Sequence, residues 1–353
     1  MFRLRGLTIT SLENVIVRSI ARMGDLSAAS VFLCIADHYE PMWGRAPMSV
    51  QLERVQRWRE CYPKNVAGIE DDRGRSPQHS FFYPIEEYNE RLVESVAQLC
   101  REGYGSLEFH LHHDGDSPQQ FRDRLELAKR QFDERHGALA KNANGQAIYG
   151  FVHGNWALCN GLPSGRWCGV NDELTILRET GCYADFTMPS APDPAQSKIV
   201  NKIYYAKSTP SRARSHDQGV PAAVGQMAPQ DGLLLIQGPL MINWGRRKFG
   251  VVPKLENSDL HGGFPPSLNR LRVWLKARIG VVGKPDWIFI KLHTHGAPEK
   301  NAEMLLGRKV RHFHEQMQVF FRSAGAKLYY VNAREMARVV HAAERGLQSP
   351  FDC

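Results

Sequence analysis

Short apolar stretches alternate with amphipathic stretches along most of this chain. Residues 31–36 form a continuous apolar run typical of a buried strand, and Leu92, Val93, Val96 and Leu99 have the spacing of a helix packed on a sheet. Further strands are predicted at 79–83, 107–112, 148–153, 183–187, 233–244, 287–292 and 327–331. Helices are predicted over 172–180, capped by Asn171, and over 302–321. Strands that alternate with helices favour a parallel sheet. We therefore predict an α/β fold, a (β/α) barrel of seven or eight strands, with a doubly wound open sheet as the structural alternative.

The domain organisation follows from the same pattern. No internal repeat or linker divides the chain, so one domain is predicted, over residues 31–346. A basic segment, 1–30, precedes it, and a tail, 347–353, follows. Residues of about 190–230 are irregular and rich in proline and polar residues, which indicates an insertion in the barrel.

Composition excludes several classes of protein. With 42% hydrophobic and 10% aromatic residues the chain can bury a core, which excludes intrinsic disorder. No apolar run approaches the roughly 20 residues that span a bilayer. The net charge of +8 comes without a basic run interleaved with aromatic residues, so no nucleic acid partner is predicted, while an anionic glycan or membrane surface stays open.

Cysteine usage and the N-terminus bear on location. Seven cysteines at irregular spacing, with no CxxC pair, indicate reduced thiols in a cytoplasmic protein. Charged residues interrupt the first 30 positions, so no secretory signal is predicted. Arg3, Arg5, Arg18 and Arg22 predict at most a weak peripheral contact with an anionic membrane.

Polar side chains recur where the predicted strands end. In a parallel barrel these ends meet on one face, where active sites are built, so a shared site is the better interpretation than chance. The residues concerned are Asp37, His38, Glu40, His110, His112, His113, Asp114, His153, Asn155, Trp156, Asp185, Asn243, His293 and His295.

The segment 108–116, Glu-Phe-His-Leu-His-His-Asp-Gly-Asp, is the strongest local signal. His110 and His112 point to the same side of a strand, so both imidazoles can face one divalent ion. His113, Asp114 and Asp116 follow directly, where a further ligand or an orienting partner is needed. Nitrogen and carboxylate ligands suit zinc, and equally iron, cobalt or nickel.

The order of motifs from 31 to 345 resembles the NodB-type polysaccharide deacetylases of the glycoside hydrolase/deacetylase barrel superfamily. The matching segments are Asp37-His38, His79-Ser-Phe-Phe-Tyr83, His110-Leu-His112-His113-Asp114 and Leu292-His293. The chain departs from the family pattern at three points. His38 replaces the second Asp of the family's pair, no HxxxH is present, and His153-Gly-Asn-Trp156 stands in place of Arg-x-Pro-Tyr.

The resemblance implies a metal-dependent hydrolase that removes an acyl group, chiefly N-acetyl, from a glycan or its precursor in surface or exopolysaccharide biosynthesis, with zinc as the expected ion. Asp37 would be the catalytic base, and His293 or His295 the general acid. His38, His110, His112 and Asp114 would hold the metal, and His153, Asn155, Trp156 and Asp185 would bind the carbohydrate.

Two alternatives stay open. The paired motifs His110-Leu-His112 and His293-Thr-His295 also resemble multi-histidine metal phosphoesterases, although that family places its first pair near the chain start. The departures from the deacetylase pattern are equally consistent with an inactive glycan-binding barrel. Bound metal in the purified protein would separate an active site from that inactive alternative.

Overall fold

The alternation of strands and helices is present in the structure, a computed structural model that describes residues 6–351. Its α-helices are, in chain order, α1 (Ile9–Ile20), α2 (Met48–Val66), α3 (Glu90–Leu99), α4 (Pro118–Lys129), α5 (Glu173–Glu179), α6 (Leu268–Lys276), α7 (Glu299–Leu305), α8 (Arg308–Ser323) and α9 (Ala333–Glu344). Its strands are β1 (Ser30–His38), β2 (His79–Pro84), β3 (Gly105–Leu111), β4 (Ala140–Lys141), β5 (Ala147–His153), β6 (Cys182–Asp185), β7 (Ile203–Ala206), β8 (Val220–Pro221), β9 (Leu233–Ile236), β10 (Met241–Lys248), β11 (Val252–Glu256), β12 (Asp259–Leu260), β13 (Trp287–Thr294) and β14 (Lys327–Tyr330).

One large sheet, mostly parallel, organises the molecule. Strands β13, β1, β2, β3, β5, β6 and β9 run parallel in that order. β7 and β8 continue the sheet antiparallel, and β14 pairs with the first half of β1. Within residues 6–351 the pairing runs as an open path from β12 to β8, so a mixed α/β fold is confirmed and a closed barrel is not. Backbone hydrogen bonds from Phe289 to Ile279 (2.9 Å), from Val282 to Ala222 (2.8 Å) and from Val224 to Val282 (2.9 Å) link the region of β13 to that of β8.

Both faces of the sheet are buried. On β1, Val31, Leu33 and Ile35 belong to one apolar core and Phe32 and Cys34 to another, because successive side chains of a strand point to opposite faces. The first core includes side chains of α2, α3, α4, α6 and α8, and the second includes those of α9. Strands covered on both faces read as continuous apolar runs, as residues 31–36 do.

Three predicted elements differ from the structure. Residues 233–244 are not one strand: the chain breaks at Gly238-Pro239, and β10 pairs with β11 in a separate two-stranded sheet that holds Asn243. A side chain at Gly238 would lie 2.3 Å from the carbonyl oxygen of Lys291, so only glycine fits this crossing. The helix predicted over 302–321 is divided into α7 and α8 at Gly307. Asp172, and not Asn171, is the N-cap of α5.

The N-terminal segment is partly integrated into the fold. Helix α1 packs on β10 and α6, and the Ser19 hydroxyl accepts a hydrogen bond from the Ile242 amide (2.7 Å). Arg18 donates to the carbonyl of Ala277, whereas Arg22 is exposed. Arg3, Arg5 and Cys353 lie outside the described residues, and the six cysteines within them are free thiols. None of the helices described is both long and apolar enough to cross a membrane.

Candidate functional site

Histidines gather where three parallel strands of the sheet end. His38 is the last residue of β1, His110 lies near the end of β3, and His293 lies near the end of β13. His112 and His295 follow β3 and β13 directly. Because parallel strands place their carboxyl ends at one edge of the sheet, five imidazoles from distant parts of the chain meet there.

A carboxylate lies among these imidazoles and defines the Glu40 cluster, Glu40, His110 and His112. Glu40 Oε1 lies 3.1 Å from His112 Nε2 and 3.6 Å from His110 Nε2. The two imidazole Nε2 atoms are 3.3 Å apart. Each of the three residues therefore turns one ligand atom towards a common point.

This geometry fits a divalent ion. Atoms bound about 2.1 Å from one tetrahedral ion lie about 3.4 Å from each other, close to the three separations in the cluster. Two imidazole nitrogens and one carboxylate oxygen are a common ligand set of catalytic zinc, which keeps a further position open. The Glu40 cluster can therefore hold a metal ion, although its donor atoms do not identify which one.

Outer hydrogen bonds fix the orientation of each ligand. His110 Nδ1 lies 3.0 Å from the Val152 carbonyl oxygen, and His112 Nδ1 lies 2.7 Å from Glu86 Oε1. The second Glu40 oxygen, Oε2, lies 2.7 Å from His295 Nδ1. Such contacts direct the Nε2 atoms of His110 and His112 inwards, as in metal sites whose histidines are held by carbonyls and carboxylates.

The charges in the cluster are strongly coupled. Burial acts to raise the pKa of Glu40, but hydrogen bonds from His110, His112 and His295 hold that pKa well below its usual range. Burial acts to lower the pKa of His112, yet Glu40 and Glu86 raise it to about 10. Protons and a metal ion therefore compete for the same nitrogen, which makes metal affinity dependent on pH.

His38 and His293 belong to the group of five histidines but not to the Glu40 cluster. The His38 ring lies 4.9 Å from the rings of both His110 and His295. Both are buried, and His38 Nε2 and His293 Nδ1 have no hydrogen-bond partner. Burial lowers the pKa of each well below its ordinary value, so both imidazoles are neutral at neutral pH.

An open cavity of about 360 Å³ adjoins the histidines. His293 and His295 form one part of its wall, and the indole of Trp156 lies 5.3 Å from the His293 ring. The cavity falls in the size range of small-ligand sites. It is lined by Trp156, Ser190, Pro192, Asp193, Asn257, Asp259, His293 and His295.

Asp37 faces away from the Glu40 cluster. Its Oδ2 lies 2.7 Å from His79 Nε2, and its Oδ1 accepts the Gly296 amide at 2.6 Å. The Trp58 indole donates to the Gly296 carbonyl on the same side (3.0 Å). Asp37 thus holds the backbone just after His295, with both carboxylate oxygens occupied.

The other predicted site residues divide between the cavity and separate contacts. Asp114 accepts the amide of Trp167 (2.7 Å) and lies outside the Glu40 cluster. Asp185 is buried beneath the site, where burial raises its pKa to about 7 and Thr187 donates to it. Asn155 adjoins Trp156 in a tight turn with positive φ. His153 belongs to a second group, the Glu173 cluster, formed by His113, His153, Cys168 and Glu173.

Sequence reasoning placed Glu40 among the strand-end residues of the shared site without giving it a ligand role, and it missed Glu86, Cys168 and Glu173. Glu40 had a usable signal, because it lies two residues after His38, at the end of a buried strand. Cys168 and Glu173 had none, since their partners His113 and His153 come from other elements.

No protein-family model matches this chain, and no curated protein is significantly similar to it. The resemblance to the NodB-type deacetylases therefore stays a prediction from motif order.

Proposed function

We propose that this protein is a metal-dependent hydrolase that removes an acyl group, chiefly N-acetyl, from a glycan or glycan precursor. The observation that carries the proposal is the Glu40 cluster, a ligand set beside an open cavity at the carboxyl ends of parallel strands. The same proposal includes zinc as the ion and closure of the sheet into a (β/α) barrel. It also includes a cytoplasmic location and a place in surface polysaccharide synthesis.

The Glu40 cluster and the two histidines after it have different parts in the proposed reaction. A divalent ion held by Glu40, His110 and His112 supplies polarisation of the acyl carbonyl and acidification of water. His295 is fixed through Nδ1 to Glu40, which leaves its Nε2 for the substrate. His293 lies beside it in the cavity wall with a free ring nitrogen. These two imidazoles are therefore placed to move protons between water and the leaving amine.

The walls of the cavity favour a neutral sugar over a phosphoester. Trp156 offers an indole to an apolar sugar face, and Ser190 and Asn257 offer hydrogen bonds to hydroxyl groups. The eight residues that line it include the carboxylates of Asp193 and Asp259 but neither lysine nor arginine. Two carboxylates attract a product amine and repel a phosphate, which favours the deacetylase over the phosphoesterase alternative.

Metal analysis and acetate release test the proposal. The double variant His110→Ala/His112→Ala should stay folded, lose one metal ion per chain and lose at least ~10²-fold in acetate release from N-acetylated amino-sugar oligosaccharides. His312→Ala is the matched control, because this histidine is exposed on α8 and distant in sequence from the cluster. Unchanged metal content in the double variant would contradict the assignment. Metal-loaded wild-type protein that releases phosphate from phosphoesters, but no acetate, would replace the deacetylase with a phosphoesterase.

A further inference from the structure

The Glu173 cluster is a second group of potential ligands, and it is completely enclosed. His113 is the second residue after the end of β3, and His153 ends β5. Cys168 lies in the loop that follows β5, and Glu173 begins α5. The side chains of His113, His153 and Glu173 have no exposed surface, and Cys168 is fully buried. The cluster is thus separate from the open cavity beside the Glu40 cluster.

Several polar atoms in this enclosed group lack a hydrogen-bond partner. They are Nε2 of His113, Nε2 of His153 and Oε1 of Glu173. Leaving one buried polar group unsatisfied costs about 1–3 kcal/mol, and more for a charged group. Three unsatisfied atoms that face one another in an enclosed site indicate an occupant that these residues share.

The geometry identifies the occupant as a cation. Glu173 Oε1 lies 3.4 Å from His113 Nε2 and 3.4 Å from His153 Nε2, and Glu173 Oε2 lies 3.5 Å from Cys168 Sγ. The two 3.4 Å separations are the edges expected between ligand atoms that lie about 2.1 Å from one tetrahedral ion. All four ligand atoms lie within 4.8 Å of one another.

The surroundings of each ligand agree with metal binding. The backbone amides of Asn160 and Val170 point at Cys168 Sγ (3.4 and 3.5 Å), as they would at a thiolate acceptor. His153 Nδ1 is directed at the Gly154 carbonyl, which turns its Nε2 inwards. Such outer contacts are typical of metal-bound histidine and cysteine.

We propose that His113, His153, Cys168 and Glu173 bind a structural zinc ion, distinct from the metal of the Glu40 cluster. Two imidazoles, a thiolate and a carboxylate fill a tetrahedral shell and leave no position for substrate. A soft sulfur ligand selects zinc over magnesium or calcium. The ion cross-links the ends of β3 and β5 to the loop at 157–172 and to the start of α5.

This cross-link explains how an irregular loop is held. Five residues other than glycine adopt positive φ between β5 and α5, a backbone conformation that costs energy and persists only where the surroundings impose it. These residues are Asn155, Trp156, Cys159, Asn160 and Trp167. Trp156 connects this loop to the cavity, because its ring lies 4.9 Å from the His38 ring and 5.3 Å from the His293 ring. The zinc ion would thus fix one wall of the cavity without touching substrate.

Cobalt substitution of the full-length protein tests the proposal with a readout other than activity. Cys168 is the only thiol in either cluster, so a sulfur-to-cobalt charge-transfer band reports this site alone. We expect the band in Co²⁺-loaded wild-type protein and in His110→Ala/His112→Ala, and its loss in Cys168→Ser. Cys61→Ser, which changes a free thiol away from both clusters, should keep the band.

Zinc content and thermal unfolding complete the test. Wild-type protein dialysed against a weak chelator should retain zinc at this site, and Glu173→Gln should lose one zinc ion per chain and melt on the order of 10 °C lower. Absence of the charge-transfer band in wild-type protein would overturn the proposal. Zinc content and melting temperature that stay at the wild-type values in Cys168→Ser and Glu173→Gln would overturn it as well. Neither result bears on metal at the Glu40 cluster, which the double histidine variant tests separately.

Discussion

The carboxylate of Asp37 shows how strand geometry decides between two roles for one residue. Asp37 and His38 are adjacent in β1, so they point to opposite faces of the sheet, and His38 faces the Glu40 cluster. Asp37 is instead bonded to His79 and to the amide of Gly296, next to His295. This geometry favours a positioning role over the catalytic role predicted from the motif.

The variant Asp37→Asn separates these roles. Loss of the charge that accepts the Gly296 amide should reduce the free energy of unfolding by about 2 kcal/mol, and displacement of His295 should lower hydrolysis by ~10-fold or more. Metal content and the pH at half-maximal rate should not change, because Asp37 is neither ligand nor base in this arrangement. Asp123→Asn, at an exposed position of α4, is the control. A pH–rate profile that loses one limb in Asp37→Asn would restore Asp37 as the base.

The sequence predicted the ligand pair of the candidate site that lies at the end of a single strand. His110 and His112 are two residues apart, and they lie side by side as the strand period predicts. Asp114 was an expected ligand because it follows them closely, but the chain turns after His113 and its carboxylate contacts Trp167. Glu173 joins its cluster by long-range packing, which no local pattern contains.

At the scale of elements, the start of the β5–α5 loop is fitted closely against the Glu40 cluster. A side chain at Gly154 would lie 2.4 Å from Cδ2 of His112 and 2.7 Å from the Leu111 carbonyl oxygen. Gly154 therefore lets β5 approach the end of β3, and the contact fixes where the His112 ring can lie.

We expect Gly154→Ala to displace His112 and so weaken metal binding at the Glu40 cluster by ~10-fold or more, the size of effect seen when an orienting contact is removed. Zinc titration of the two proteins measures this. Gly245→Ala is the matched control, because a side chain there meets only Asn243, at 3.4 Å. Equal affinity in both variants would show that the ring has room to move.

The positions of strands and helices were predictable where the apolar residues follow one pattern, that of a strand or that of a helix, over the whole segment. Strands β1, β5 and β13 lie close to their predicted positions because they are mainly apolar runs, and β3 does so because its apolar residues alternate with polar ones. Residues 233–244 are apolar for most of their length, and this hid the break at Gly238-Pro239, although that dipeptide is itself a turn signal.

At the scale of the whole molecule, a buried histidine makes stability depend on pH. Burial, with a smaller contribution from His79, lowers the pKa of His314 to about 3, and its Nδ1 lies 3.1 Å from the Tyr330 hydroxyl. An unfolded histidine titrates near 6.5, so between about pH 6.5 and 3 the unfolded chain binds more protons than the folded one. The contribution of His314 is complete above about pH 6.5 and is lost as the pH falls.

His314→Asn should remove this dependence while keeping a polar partner for Tyr330. Between pH 7.5 and 5.5 the wild-type protein should lose about 1 kcal/mol more unfolding free energy than the variant, since each pH unit below 6.5 is worth up to ~1.4 kcal/mol. Urea unfolding at the two pH values measures the difference, and the titration of other groups cancels in the comparison. Identical pH dependence in both proteins would show that His314 is not responsible.

The order of strands in the sheet is the part of the fold that local patterns could not supply. The alternation of strands and helices predicts parallel pairing, and the parallel strands confirm it. Nothing in the pattern of 327–331 shows that this strand pairs with β1, or that β2 takes the same edge of β1 from Ala36 onwards. Pairing between distant segments is set by the packing of all helices together.

The position of β1 between strands from the far end of the chain matters while the protein is being synthesised. β1 is synthesised before its neighbours β13 and β14, which begin at Trp287 and Lys327, more than 250 residues later. Until then one apolar strand edge has no partner and is open to association with other chains. Pairing between strands so distant in sequence forms slowly, so this edge stays exposed until synthesis has passed Trp287.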